Sequence, residues 1–501
     1  MIKFTSFIVL WFVFLASRID LGLHARAHSN VSCFESERKA LLEFKESLVD
    51  NSNHLASWTG EDCCSWKGVG CSRNTRHVMK LDLRNNAVFD AARLVPSLMN
   101  LQHLHYLDLS SNYFAGIRIP AFIGSLKNLR YLNLSSAGFN GTIPPQLGNL
   151  SALEYLDLGE KFEGKIPSAI GQLRELTELD LSSNGFNGTI PSSLWRLMCH
   201  GIKSLDFSNN YITGKPPVCK GNSGHEFRKI FVLESNKFEG PLQLLPTDIA
   251  ELHLQNNSLQ GIIPHPDINM TLDILRVLDL SDNHFNGSIP DSLCSLQMLV
   301  VLDLSNNQLS GRIPSCIGKL KTLGVLNLAN NNLYGHIPIS LGHLIVLQSL
   351  HLNRNNFTGM VPFALRHLKI LQFLDLGNNG LEGLIPAWIG DELSSIYVPV
   401  YVLPAITEVD TYSEDLSVFI KGVMLNYTTS NVRYVRFMGL SGNKLSGEIP
   451  VELMSLVGLQ GLDLSRNHLS GRIPENIGDL SSLWIYPKMI FLVQFPKVCR
   501  T

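Results

Sequence analysis

LQMLVVLDLSNNQLSGRIPSCIGK, residues 296–319, is the clearest copy of a phrase that runs unbroken over residues 296–390. Asn307, Asn331, Asn355 and Asn379 fall 24 residues apart, and so do Pro314, Pro338, Pro362 and Pro386. A fixed period of this length signals a solenoid: each phrase is one coil of a right-handed spiral, and no coil buries its apolar face alone. Leu302 and Leu304 alternate with Asp303 and Ser305, which predicts a short strand with leucines inward and polar residues outward. Stacked coils then make a parallel sheet. The chain must turn away after the strand, and an Asn amide carries both donors and acceptors, so Asn307, Asn331, Asn355 and Asn379 are expected to form an internal hydrogen-bond ladder. Gly311 permits a tight bend, Pro314 fixes φ on the return path, and Ile317 and Leu320 re-enter the core.

The consensus LxxLxxLxLxxNxLxGxIPxxLGxL resembles the plant-type extracellular leucine-rich repeat, and it recurs in register from about residue 101 to residue 480. The fold class this resemblance implies is an α/β repeat: a right-handed leucine-rich-repeat solenoid of plant-type 24-residue coils. Its parallel β-sheet lies on the concave face, with a second small sheet after the Asn and an N-terminal disulfide cap.

Length alone, 501 residues, would suggest about three globular domains, but the repeat overrides that count. A net charge of −2 with 17% charged residues gives no basic footprint for nucleic acid and no acidic tail. Residues 1–27 read as a signal peptide: Lys3 precedes the apolar run FTSFIVLWFVFLA, and Ala25-Arg26-Ala27 offers a cleavage site. Export makes the N-x-S/T sequons at Asn30, Asn133, Asn140, Asn149, Asn187, Asn256, Asn269, Asn286, Asn356 and Asn426 candidates for glycosylation.

Residues 28–77 form the N-terminal cap. Ala40, Leu41, Phe44 and Leu48 stand at helical spacing, and SWTGEDCCSWKGVGC follows. In an exported chain the four cap cysteines are a disulfide framework with three possible connectivities. The resemblance implies Cys33 with Cys63 and Cys64 with Cys71; a zinc site is disfavoured by the adjacent pair and by oxidising export. Cys294 and Cys316 stand in successive coils, close enough to bridge, Cys199 with Cys219 is a weaker pair, and Cys499 is left over.

Repeats occupy residues 78–390 and 433–483. Ala137 replaces a ladder Asn, the coil at Leu156 is one residue short, and residues 218–246 are expected to hold an irregular loop. Pro386 and Pro450 are 64 residues apart, so an island without the phrase, residues 391–432, is inserted as a loop. The tail, residues 484–501, carries Trp484, Ile485, Ile490, Phe491 and Val493, which can fold back on the last coil; Pro487 and Pro496 argue against a regular strand pair.

Cap, repeats, island and further repeats in this order resemble the plant receptor-like proteins, particularly the fungal-xylanase-receptor and Cf-type resistance proteins. The island departs from the family's Lys-Gly-Arg-Glu, reading Lys421-Gly422-Val423-Met424. Family members continue into further coils, a membrane helix and a short cytoplasmic tail, so the chain is expected to be a C-terminally truncated member, in the secretory pathway and released to the cell-wall space.

No P-loop, HExxH, GxSxG or kinase glycine loop is present in the sequence, so neither an enzyme nor a cofactor is expected. His103 and His105 are the nearest approach to a metal pair; only His105 should point outward. Asp108, Asp157, Asp180, Asp279, Asp303 and Asp375 recur at one repeat position, which reads as structural. Recognition then falls to the outward strand positions: Tyr106, Arg130, Tyr131, Glu154, Tyr155, Glu178, Arg354 and Phe373, the three tyrosines stacked as a column. The resemblance implies a kinase-less extracellular receptor in plant defence that binds a protein, peptide or glycan ligand, microbial in origin in the defence case. It would signal through adaptor and co-receptor leucine-rich-repeat kinases. The alternative is a secreted inhibitor of a microbial wall-degrading enzyme, of the polygalacturonase-inhibitor kind.

Overall fold

The computed structural model describes residues 33–50, 53–84, 89–90, 94–216, 229–246, 249–266, 274–393, 416–420, 423–427, 436–456, 458–480 and 491–492. Strand pairings run in a single line, from the antiparallel cap strand Val69–Cys71 on Val78–Asp82, through parallel neighbours such as Val301–Asp303 and Val325–Asn327, to Phe491–Leu492. Among the described residues the sheet is therefore open, with an edge at each end. A second parallel sheet, from Glu163–Gly164 to His468–Leu469, follows the ladder residues, as the resemblance to the plant-type repeat implied.

Most described coils close on the outer side with one 3-10 turn, as at Ser315–Lys319 after Pro314 (φ −56°), which sends Ile317 and Leu320 into the core at 1% and 0% exposure. Two described coils use an α-helix instead, the longer Ser192–His200 and the short Trp388–Glu392.

The ladder is bonded to the main chain, amide by amide. Asn331 Nδ2 donates to the carbonyls of Leu304, Leu328 and Ala329, and its Oδ1 accepts the Leu309 N–H at 2.9 Å. Asn307, Asn355 and Asn379 repeat the pattern. Each amide thus satisfies groups of its own and the preceding coil that would otherwise be buried without partners. The residue before the ladder position is left-handed, as in Asn306 (φ 53°), Asn330 (φ 53°) and Arg354 (φ 54°), which explains the recurring Asn, Asp and Ser there. The short coil at Leu156 absorbs its missing residue by taking two positive φ values in succession, at Glu160 and Lys161.

In the cap, helix Glu35–Glu46 buries Ala40, Leu41 and Phe44, with Leu48 just past its end. Cys33–Cys63 and Cys64–Cys71 are bridged (Cα separations 5.4 and 5.5 Å), as is Cys294–Cys316 across successive coils (5.9 Å). The only cluster with metal-ligand spacing among the described residues is Cys33, Cys63 and Cys64, whose sulfurs are taken up in these bridges. Cys199 is also disulfide-bonded; Cys219 and Cys499 lie outside the described residues.

Three expectations are corrected. Part of the stretch expected to be an irregular loop is a regular coil, with strands Ile230–Val232 and Lys237–Pro241 and a ladder amide at Asn236, because Phe231, Leu233 and Phe238 supply the core pattern. The island is not only loop: Leu416–Ile420 and Val423–Tyr427 pair as an antiparallel ribbon in direct register. The tail does add a strand pair, Phe491–Leu492 on Leu462–Asp463; the eight residues between Pro487 and Pro496 leave room for two paired residues free of proline. The signal-peptide reading, Asn30, Asn269 and the other tail residues fall outside the described residues.

Candidate recognition face

Parallel register sorts the outward strand residues into columns, one residue per coil. One column brings Tyr106, Tyr131, Tyr155 and Glu178 together through the pairings Tyr106↔Tyr131, Tyr131↔Tyr155 and Tyr155↔Glu178. The rings stack nearly parallel, with centroids 4.2 and 4.3 Å apart. The hydroxyls of Tyr106 and Tyr155 donate to Asp108 and Asp157 (3.1 and 3.4 Å), and Lys80 Nζ lies 4.5 Å from the Tyr106 ring centre. Beside the column, exposed Arg130 and Glu154 form an ion pair at 2.8 Å. Burial raises the Glu178 carboxyl above the ordinary glutamate range, opposed by Lys203.

The recurrent aspartates are structural, as read from the sequence. Oδ1 of Asp108, Asp157, Asp180, Asp279, Asp303 and Asp375 accepts the N–H two residues on. They also shape the face. Asp279, Asp303 and Asp375, with Glu234 and Asp282, line a groove of about 590 Å³ over the coils between Glu234 and Asp375. Burial, then the neighbouring Asp303, raises the Asp279 carboxyl; burial raises Asp282 and Asp303, and pushes Asp375 up to about 6.

The predicted face therefore divides. Tyr106, Arg130, Tyr131, Glu154, Tyr155 and Glu178 lie together, whereas Arg354 and Phe373 belong to the groove. Arg354 is exposed in the turn after its strand. Phe373 is not a projecting contact: it is 2% exposed, stacked between His351 (4.4 Å) and Phe437 (5.0 Å). Sequence reasoning missed Glu234, Gln255, Asp282 and Asn353; tabulating residues four and five places after each strand start would have found them. Only His105 was expected to point outward, but His103 is exposed and stacks on His77 at 3.8 Å, whereas His105 is half-buried. Among the sequons, Asn140, Asn149, Asn187, Asn256, Asn286 and Asn356 are exposed, whereas Asn133 is buried and its Oδ1 accepts from the Ser135 N–H and hydroxyl; Asn426 lies in the island ribbon.

A solenoid with two parallel sheets and a disulfide-closed cap defines the class, and comparison with known proteins agrees. Residues 34–72 match the leucine-rich-repeat N-terminal domain, residues 82–200 a leucine-rich-repeat region, and residues 201–222, 247–309, 322–344, 346–368, 371–391 and 458–480 individual leucine-rich-repeat models. The chain belongs to the leucine-rich-repeat proteins. Its curated relatives are plant receptor-like proteins. Receptor-like protein EIX1 of Solanum lycopersicum is 40% identical over 163 residues, 30% of this chain and 15% of the relative. Receptor-like protein 6 of Arabidopsis thaliana is 29% identical over 290 residues, 52% of this chain and 27% of the relative. The matched regions thus span a minor part of each relative. Among solved structures, the ectodomain of the receptor kinase GASSHO1/SCHENGEN3 of Arabidopsis thaliana, in complex with CASPARIAN STRIP INTEGRITY FACTOR 2, superposes with a TM-score of 0.65 at 29% identity, over 88% of this chain and 54% of that one. The PEPR1–AtPEP1 structure gives 0.59 at 26%, over 90% and 74%. Among the described residues no helix is long and apolar enough to cross a membrane.

Proposed function

We propose that this chain is the ligand-recognition part of a kinase-less extracellular receptor in plant defence, and that its strand face takes a protein, peptide or glycan ligand. Adaptor and co-receptor leucine-rich-repeat kinases would carry the signal onward. The observation that carries this reading is the strand face itself: leucines turned into the core leave register columns of tyrosines, acids and amides on a rigid sheet, the kind of preorganised polar and aromatic surface that suits recognition. The relatives' description as receptor-like proteins, and the factor in complex with the GASSHO1/SCHENGEN3 ectodomain, support it.

The test is capture from plant cell-wall fluid and solubilised membranes with the secreted chain. Recovery of a receptor kinase, lost on substituting Tyr131 and kept on substituting outer-side Ile339 or Met360, is the expected result. Recovery of a wall-degrading enzyme instead would favour the inhibitor reading. Capture that depends only on the outer side would overturn the assignment of the face.

A further inference from the structure

The groove is one-sided in charge and in hydrogen bonding. Glu234, Asp279, Asp282, Asp303 and Asp375 line it, against the guanidinium of Arg354 and the imidazole of His351. Asp279 and Asp303 stand opposite each other on adjacent strands. Burial and mutual repulsion disfavour their charged forms, so an incoming cation would relieve an existing electrostatic cost. Two further acceptors on the lining, Gln255 Oε1 and Asn353 Oδ1, are buried with no hydrogen-bond partner. The Gln255 amide is oriented by its other end, because Nε2 donates to Glu234. What the groove lacks is a donor-rich cation.

A lone metal ion fits poorly. Among the described residues the only trio of potential ligand atoms within 4.8 Å of one another is the cap cysteine cluster, so no such set converges in the groove. The acceptors are instead spread along seven successive strands, from Ile230–Val232 to Phe373–Asp375. At ~4.8 Å per strand these span about 29 Å, the reach of about nine extended residues. We propose that the groove between Glu234 and Asp375 receives an extended polypeptide segment presenting several Lys or Arg side chains. The proposal rests on the strand face being the recognition surface and names the chemistry of its ligand.

The chain itself supplies a substitution that spares the fold. Asn133 and Asn327 occupy the same register column as Asp279 and Asp303, and their Oδ1 atoms accept the same N–H two residues on (2.9 and 3.2 Å). Asp279→Asn with Asp303→Asn should therefore keep the main-chain bonds while removing charge, at the cost of the bond that Asn327 Nδ2 donates to Asp303 Oδ2. The probe is a nonapeptide alternating Lys and Ser, measured by calorimetry against the intact secreted chain at pH 7. Binding is expected, with at least a tenfold loss in the double variant, and weakening at pH 5 as the carboxyls take up protons. Asp157→Asn with Glu178→Gln, an equal charge removal beside the tyrosine column, should leave affinity unchanged. Equal losses in both double variants would mean diffuse attraction and overturn the proposal; so would absence of binding to the unsubstituted chain, or displacement of the peptide by millimolar calcium. If a natural partner depends on Tyr131 but is indifferent to Asp279→Asn with Asp303→Asn, the face is right and the groove wrong. If no strand-face substitution releases it, the functional reading itself fails.

Discussion

The tyrosine column and the acid groove sit on the same sheet, in the same register, over differently built coils. Beneath the tyrosines the ladder is broken: the coils of Tyr131 and Tyr155 carry Ala137 and Lys161 where an amide belongs. There the Phe114 N–H turns to the Ala137 carbonyl at 2.8 Å, whereas in complete coils the corresponding N–H, that of Phe285 for example, bonds the Oδ1 of the next Asn. Beneath the groove every coil from Asn236 to Asn379 has its amide. One part of the face is held by aromatic stacking above, the other by a hydrogen-bonded ladder below. Similar sheets can therefore be stiffened from opposite sides.

The sharpest break in that comparison is Asn331→Ala. It strips partners from the carbonyls of Leu304, Leu328 and Ala329 and from the Leu309 N–H, and should cost about 3 kcal/mol, read as a lowered denaturation midpoint. An unchanged midpoint would show that the ladder is dispensable. Tyr131→Ala removes the middle ring, stacked on both sides, and should cost about 2 kcal/mol, more than the same change at Tyr106 at the column's end. Equal costs would mean that the stack does not act as a column.

Asp375→Asn tests the groove through pH. Burial pushes the folded carboxyl up to about 6, above the ordinary aspartate range, so on acidification the folded state takes up the proton first. The stability this group contributes is full at low pH and is lost as pH rises through about 6. The unsubstituted protein should therefore lose more melting temperature between pH 5 and pH 7 than Asp375→Asn, in which Oδ1 still accepts the Gly377 N–H. Parallel profiles would refute the raised carboxyl. The smallest effect on stability is expected from exchanging Arg130 and Glu154. The exposed pair is re-formed with its sense reversed, so stability should stay within ~0.5 kcal/mol, while a ligand seated on the tyrosine side should bind more weakly.

The sequence by itself determined the solenoid. A 24-residue period that returns Leu302, Leu304, Asn307, Gly311 and Pro314 to the same places dictates strand, amide, bend and return, because each of those residues answers a local backbone need. The tyrosine column was legible for the same reason: identical residues at one repeat position must stack once the coils do. Tertiary structure alone decided the rest. Glu234, Gln255 and Asn353 share one position of the phrase and Asp279 holds another, all in different coils, and the pitch and twist of the sheet make them one groove. Phe373 is apolar at an outward position, and only its neighbours His351 and Phe437, on adjacent strands, decide that it packs instead of projecting. Phe491–Leu492 pairs because the last full coil ends in an open strand edge, a long-range demand that local proline rules do not contain.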